Sequence, residues 1–264
     1  MRLTLPIQVP EKRMLEKKSK FNILPIPVLQ DNIVWVWVHK FNAVVIDPSI
    51  SSPVKEWLLN NKLSLKAILQ THHHEDHIGG TKELIKKWPN AMVIASKKEL
   101  KRIPFQTFSV GNNDIFQLFN SDVKVIEVHG HTDNHIAFYI SKEDAQYNIL
   151  FPGDTLFGGG CGRLLEGTPS QMFESLNKLN SLPENTKVYS AHEYTENNLK
   201  WALSLNSNDI AITERLRIVQ NKRKKGLPSL PSTIEEERKT NLFLRAKNVE
   251  ELTMLRRHKD NWKC

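Results

Sequence analysis

Four histidines and two carboxylates occupy six consecutive positions, His72-His73-His74-Glu75-Asp76-His77, between Thr71 and the pair Gly79-Gly80. Imidazole and carboxylate are donors suited to zinc, manganese or iron. Only two cysteines occur, Cys161 and Cys264, too few for a closed structural zinc site of the cysteine type. The cluster therefore points to a catalytic metal site with open positions. His72 and His74 are two apart, so in extended backbone both side chains face one way. The chain must then turn, which lets Asp76 and His77 address a neighbouring point. Three later residues extend the set: His131 in Gly130-His131-Thr132-Asp133, Asp154 in Pro152-Gly153-Asp154-Thr155, and His192 in Ala191-His192-Glu193-Tyr194. Taken singly, each also suits a turn, a helix cap or a core histidine. What joins them is that each follows a short apolar run, the place where a sheet positions functional groups.

Those runs are the candidate strands: Ile33–Val38, Ala43–Ile46, Ala67–Leu69, Val93–Ala95, Val123–Val128, Ala137–Ile140, Ile149–Phe151 and Val188–Ser190. Helical stretches interleave with them. Glu83–Trp88 follows Gly79-Gly80, where glycine lets backbone pack closely. Ser170–Leu179 follows Thr168-Pro169, with Thr168 and Gln171 spaced as a capping box. The alternation predicts an α/β architecture. After about Tyr194 strand patterns fade. Ile212, Leu216 and Val219 are spaced as a helix face ending at Gly226, Ser232 and Glu235 read as a second capping box, and Val249, Leu252 and Leu255 mark a last amphipathic helix. The chain thus divides into a basic extension over 1–20, expected to be disordered (with Met14 as an alternative start), an α/β domain over 21–194 and a helical domain over 195–264.

The 264 residues are 39% apolar, enough for a substantial core, and no apolar run has transmembrane length. Net charge is +8. Such a surplus suits nucleic acid, an anionic membrane face or a small acidic substrate, or serves solubility alone. The lysine-rich stretches 17–20 and 222–225 lack interleaved aromatics, so stacking on single-stranded nucleic acid is not specifically indicated. The low cysteine content fits a reducing, cytoplasmic setting. The basic N-terminus has no apolar segment of the secretory kind.

The pattern His72-x-His74-x-Asp76-His77, followed by His131, Asp154 and His192, resembles the metal-binding pattern of the metallo-β-lactamase superfamily. The resemblance implies a four-layer αββα sandwich. It also implies two divalent metal ions: His72, His74 and His131 on one, Asp76, His77 and His192 on the other, and Asp154 bridging both. Zinc comes first among the candidate ions, with iron or manganese as alternatives. A pair roughly 3.5–4 Å apart can lower the pKa of a shared water to about 7 and stabilise the oxyanion formed at an attacked carbonyl. Asp76 and Asp154 thereby rank as the catalytic carboxylates, and hydrolysis by metal-bound hydroxide is the default chemistry.

Finer matches resemble glyoxalase II, the hydroxyacylglutathione hydrolase family. They are the stretch from Gly153 to Arg163, Glu166-Gly167-Thr168, His192-Glu193-Tyr194-Thr195, Pro27-Val28-Leu29-Gln30-Asp31-Asn32 and Arg256-Arg257-His258-Lys259-Asp260. The likeness implies hydrolysis of S-D-lactoylglutathione to glutathione and D-lactate, the second step of methylglyoxal detoxification. It assigns Arg163, Tyr194, Arg256 and Lys259 to the glutathione part, and arginine suits the carboxylates of that tripeptide. Arg163 stands where the family often has lysine, and Leu242 where it usually has proline. The implied partner is a small thioester, with no nucleic acid and no membrane, acted on by a monomer. Rival readings are a sulfur dioxygenase of the same superfamily, with one iron and glutathione persulfide, a nucleic-acid processor, and a non-enzymatic metal-binding module.

Overall fold

The computed structural model describes residues 22–141 and 146–263. The basic extension expected over 1–20 lies outside the described residues. The chain clusters into two compact units. One runs to Glu127 and takes in Ile136–Gln146; the other combines Val128–His135 with everything from Tyr147 on.

In the first unit, β1 (Asn22–Val28), β2 (Asn32–His39), β3 (Asn42–Ile46), β4 (Ser64–Leu69), β5 (Met92–Ser96) and β6 (Phe108–Val110) form one sheet in that order. The first three are antiparallel, and β3 to β6 run parallel. In β2 the period of two is visible in the packing. Val34, Val36 and Val38 join one core cluster with Val54, Trp57 and Leu58 of α1 (Ser51–Asn60), and with Leu84 of α3 (Thr81–Lys87). Trp35 and Trp37 alternate with them and are buried as well. Burial on both faces is what a strand of continuous apolar character requires. Between β4 and α3 the histidine cluster runs through the single helical turn α2 (Glu75–Ile78). Gly80 donates its N–H to the Pro48 carbonyl at 2.8 Å, the close backbone contact expected of the glycine pair. A meander of β7 (Ile115–Leu118), β8 (Ser121–Glu127) and β9 (Ile136–Ser141) completes this unit.

In the second unit, β10 (Ile149–Phe151) pairs parallel with β13 (Lys187–Val188), which pairs antiparallel with β14 (Ser232–Thr233). A short hairpin, β11 (Leu156–Phe157) with β12 (Gly160–Cys161), follows β10. The rest is helical: α4 (Pro169–Asn180), α5 (Thr195–Leu205), α6 (Ile210–Lys224), α7 (Ile234–Thr240), α8 (Leu242–Arg245) and α9 (Val249–Asn261). The capping box at Thr168 and Gln171 is present, with both hydrogen bonds made. No helix among the described residues is long and apolar enough to cross a membrane.

Three sequence expectations need correction. The second capping box falls one residue later than Ser232 and Glu235: Thr233 caps α7 by accepting from the Glu236 N–H at 3.1 Å. Ser232 is instead paired with Val188 in the sheet, so its backbone belongs to a strand. The run Val188–Ser190 shrinks to a strand over Lys187–Val188. On α6 the buried face is Ile212, Arg215 and Val219, with Leu216 only half-buried, because Arg215 finds a buried carboxylate partner.

Candidate metal centre and substrate cavity

Each unit carries one part of the expected donor set. In the first, the chain leaves β4 at Gln70 and holds the cluster through Asp47, the residue after β3. Asp47 is buried and has a left-handed backbone, φ +48°, a conformation that aspartate tolerates better than most residues. Its Oδ1 accepts the Thr71 N–H at 2.8 Å, and its Oδ2 accepts the Thr71 hydroxyl at 2.6 Å. Oδ2 also lies 3.1 Å from Nδ1 of His77. Since the Thr71 hydroxyl spends its proton on Asp47, it accepts from Nδ1 of His72, 3.0 Å away. Both imidazoles thus carry the proton on Nδ1 and present Nε2 as a lone pair, the arrangement that makes a histidine a metal ligand.

Nε2 of His72 faces Nδ1 of His74 at 3.0 Å, and Nε2 of His77 lies 3.6 Å from Oδ2 of Asp76. Asn32, at the start of β2, donates its amide to both the carbonyl and Oδ2 of Asp76, each at 3.1 Å. His73, between two ligand candidates, turns elsewhere: its Nε2 lies 3.3 Å from Nη1 of Arg102, which pairs with the buried Glu99.

In the second unit Asp154 is placed between two histidines. Its Oδ2 lies 3.5 Å from Nε2 of His131, and its Oδ1 lies 3.4 Å from Nε2 of His192. These distances exceed a good hydrogen bond. Nδ1 of His131 donates to the Arg163 carbonyl at 2.9 Å, which again leaves Nε2 as the lone pair. The Asp154 N–H donates to Nε2 of the fully buried His135 at 3.1 Å, fixing the backbone that carries the carboxylate. Gly162 lies against that same backbone: a Cβ there would be 2.0 Å from the Asp154 carbonyl oxygen. The His192 ring stacks on Tyr194, centroids 4.8 Å apart and 7° from parallel, and Phe157 stands edge-on to both.

The first unit thus brings together His72, His74, Asp76 and His77, and the second His131, Asp154 and His192, which are the seven expected ligands. Imidazole and carboxylate donors, largely buried and with the outer nitrogens of His72, His77 and His131 held by acceptors, fit divalent cations. Three residues that support them were not singled out from the sequence: Asp47, Asn32 and His135. Asp47 follows the run Ala43–Ile46 just as Asp154 follows Ile149–Phe151, so its position after a strand was the available signal.

A cavity of about 550 Å³ opens in the second unit. His131 and Asp154 line it, together with all four residues expected to meet substrate, Arg163, Tyr194, Arg256 and Lys259. The four differ in how they stand. Arg163 is exposed, with Nε 3.8 Å from Asp260. Arg256 is buried and already engaged: Nη1 donates to the Cys161 carbonyl at 3.0 Å, and Nε and Nη2 bind Asp260 at 3.0 and 2.7 Å. Lys259 sits over the Trp201 ring, 4.8 Å from its centroid. Burial, reinforced by the neighbouring Arg256 cation, pulls the Lys259 ammonium down to about 8. Burial pushes the Cys161 thiol up, away from the thiolate form a nucleophile needs.

Residues 26–192 match the model of the Metallo-beta-lactamase superfamily, and residues 193–262 match that of the Hydroxyacylglutathione hydrolase C-terminus. A hydroxyacylglutathione hydrolase of Prochlorococcus marinus (strain NATL2A) is 75% identical over 251 residues, covering 95% of this chain and 100% of the relative. Another, of Parasynechococcus marenigrum (strain WH8102), is 51% identical, covering 90% of this chain and 97% of the relative. Among solved structures, ETHE1 from Myxococcus xanthus has a TM-score of 0.67 at 23% identity, covering 92% of each chain, a likeness that carries the fold alone. The α/β portion has the metallo-β-lactamase fold, and the chain belongs to the hydroxyacylglutathione hydrolase family of the metallo-β-lactamase superfamily.

Proposed function

We propose that the protein hydrolyses S-D-lactoylglutathione, or a closely related 2-hydroxyacyl thioester of glutathione, to the hydroxy acid and glutathione. The observation that carries this reading is the cavity in which two metal-ligand candidates, His131 and Asp154, share a lining with the cations Arg163 and Lys259. A carboxylate-bearing thioester needs both.

His72, His74 and His131 would hold one ion, Asp76, His77 and His192 the other, and Asp154 would serve both. When bound, the ions supply Lewis acidity that ionises water near neutral pH and polarises the thioester carbonyl. The side chains do the rest. Asp47 and the Arg163 carbonyl keep the lone pairs of His72, His77 and His131 directed inward. Tyr194 holds the plane of His192 by stacking. Lys259 and Arg163 attract the glutathione carboxylates, and Arg256 holds the Cys161 carbonyl beside them. Water adds to the acyl carbon, the carbon–sulfur bond breaks, and the thiolate takes up a proton to leave as free thiol.

Zinc is the first candidate for both ions, with iron or manganese separable by metal analysis. The division at about residue 194, with the helical part serving glutathione, belongs to the same reading, as do a cytoplasmic monomer and the lack of a nucleic-acid partner. The test is purified protein assayed on the thioester before and after complete chelation, with free thiol as product. Activity should vanish and return with metal, and Asp154→Ala should be inactive with or without metal. Undiminished turnover by metal-free protein would exclude the mechanism.

A further inference from the structure

The turn of the β11–β12 hairpin is gripped from the C-terminal helices by three buried side chains, Asn198, Glu237 and Asn241. Asn241, between α7 and α8, sends its amide to the Gly160 carbonyl at 3.0 Å and to the Phe157 carbonyl at 3.3 Å, the residues on either side of Gly158-Gly159. Glu237, on α7, accepts the Gly159 N–H at 2.8 Å and the Asn241 amide at 3.0 Å. Gly159 has φ +68°, a conformation open to glycine, and Asn198 of α5 donates to the Gly158 carbonyl at 2.9 Å from the other side of the turn. Arg215 of α6 neutralises Glu237 at 2.5 Å. Both Glu237 and Asn241 are fully buried, and neither lines the cavity.

The hairpin leads straight to the metal ligands. Two residues past β12, the Arg163 carbonyl accepts from Nδ1 of His131, and Gly162 packs on the Asp154 carbonyl. We infer that Asn241 and Glu237 are positioning residues, which clamp the hairpin turn and thereby hold the Arg163 carbonyl that directs His131 toward its ion. On this view the C-terminal helices serve metal binding as well as glutathione. The inference rests on the dimetal reading above.

The experiment uses the full chain and Zn²⁺ in competition with a chelator. Asn241→Ser keeps an oxygen to cap α8, where Asn241 now accepts from Phe243 N–H at 3.1 Å, and removes the two donors to the hairpin. Partners that orient ligands typically contribute 10- to 100-fold to metal affinity. Here the effect acts through one intervening carbonyl, so folded Asn241→Ser should bind the Zn²⁺ held by His131 about ten-fold less tightly. Thr240→Ala, which removes a partner of Arg215 without touching the hairpin, should lower the melting temperature and leave Zn²⁺ affinity unchanged. If Asn241→Ser fails to fold, hydrogen exchange on the wild-type protein decides, because coupling is reciprocal: Zn²⁺ loading should slow exchange of the Gly159 amide. Equal Zn²⁺ affinity of wild type and folded Asn241→Ser, or Gly159 exchange indifferent to Zn²⁺, would overturn the inference alone. A wild-type chain that takes up no metal would overturn the dimetal reading and the inference together.

Discussion

Replacing Asp47 by asparagine changes one atom and should cripple metal binding without unfolding the chain. Asparagine tolerates the left-handed backbone at φ +48° about as well as aspartate. Its amide, however, offers one acceptor oxygen where Asp47 offers two. If the oxygen keeps the Thr71 N–H, the NH₂ group faces the Thr71 hydroxyl and Nδ1 of His77, both of which now donate to Oδ2. To avoid donor against donor, His77 must move its proton from Nδ1 to Nε2, the nitrogen 3.6 Å from Asp76. The Thr71 hydroxyl, no longer able to donate to residue 47, turns its proton to His72 and pushes that ring's proton to Nε2 as well.

One ligand candidate for each ion would then present N–H where a lone pair is required. Loss of an orienting partner costs about 10- to 100-fold in metal affinity per ligand, or about 1.4–2.7 kcal/mol. A buried donor left unmatched adds about 1–3 kcal/mol of destabilisation. Zinc competition with a chelator, nitrogen-resolved NMR of the imidazoles and thioester turnover read the three consequences separately. An Asp47→Asn protein that keeps both ions at wild-type affinity, with Nδ1–H tautomers at His72 and His77, would refute the argument.

Three further outcomes follow from other parts of the site. KM for the glutathione thioester should rise as pH passes upward through about 8, because Lys259 is cationic below that value and neutral above it; Lys259→Arg should flatten the rise, arginine staying charged throughout, and a KM independent of pH between 7 and 9 would count against a role for Lys259 in binding. Gly162→Ala should fold but lose about 100-fold in kcat, since its Cβ would clash with the Asp154 carbonyl and displace Asp154 by about 1 Å; unchanged kcat would deny that this contact sets Asp154. Arg215→Ala should cost about 3–5 kcal/mol in urea unfolding, because it leaves the fully buried Glu237 without its cation; a loss under 1 kcal/mol would mean that Asn241 and Gly159 alone satisfy that carboxylate.

What the sequence disclosed, and what it hid, follows from how local each signal is. The seven ligand candidates were legible because a metal selects its donors by chemistry, and imidazoles crowded into six positions have few other uses. The central strands were legible for a similar reason: Ile33–Val38 and Ala43–Ile46 are apolar without interruption, as buried strands must be. β1 was hidden by Pro25 and Pro27, which ordinarily argue against a strand. It survives because it lies at the sheet edge, where its one ladder, with β2, tolerates residues that cannot donate outward. The supporting residues were hidden more deeply. Arg215 reads as one more charge on a basic helix until Glu237, 22 residues on, is seen to meet it in the core. Arg256 and Lys259 were rightly placed on one helix face, yet only geometry separates the arginine spent on Cys161 and Asp260 from the lysine that lies over Trp201. Asp47 is the sharpest case. It stands after a strand, as the ligands do, but its left-handed backbone directs its carboxylate to Thr71 and His77 rather than into the donor set. Residue type and spacing reveal which groups can bind an ion; which groups hold those ligands in the right tautomer depends on a backbone angle that the pattern does not record.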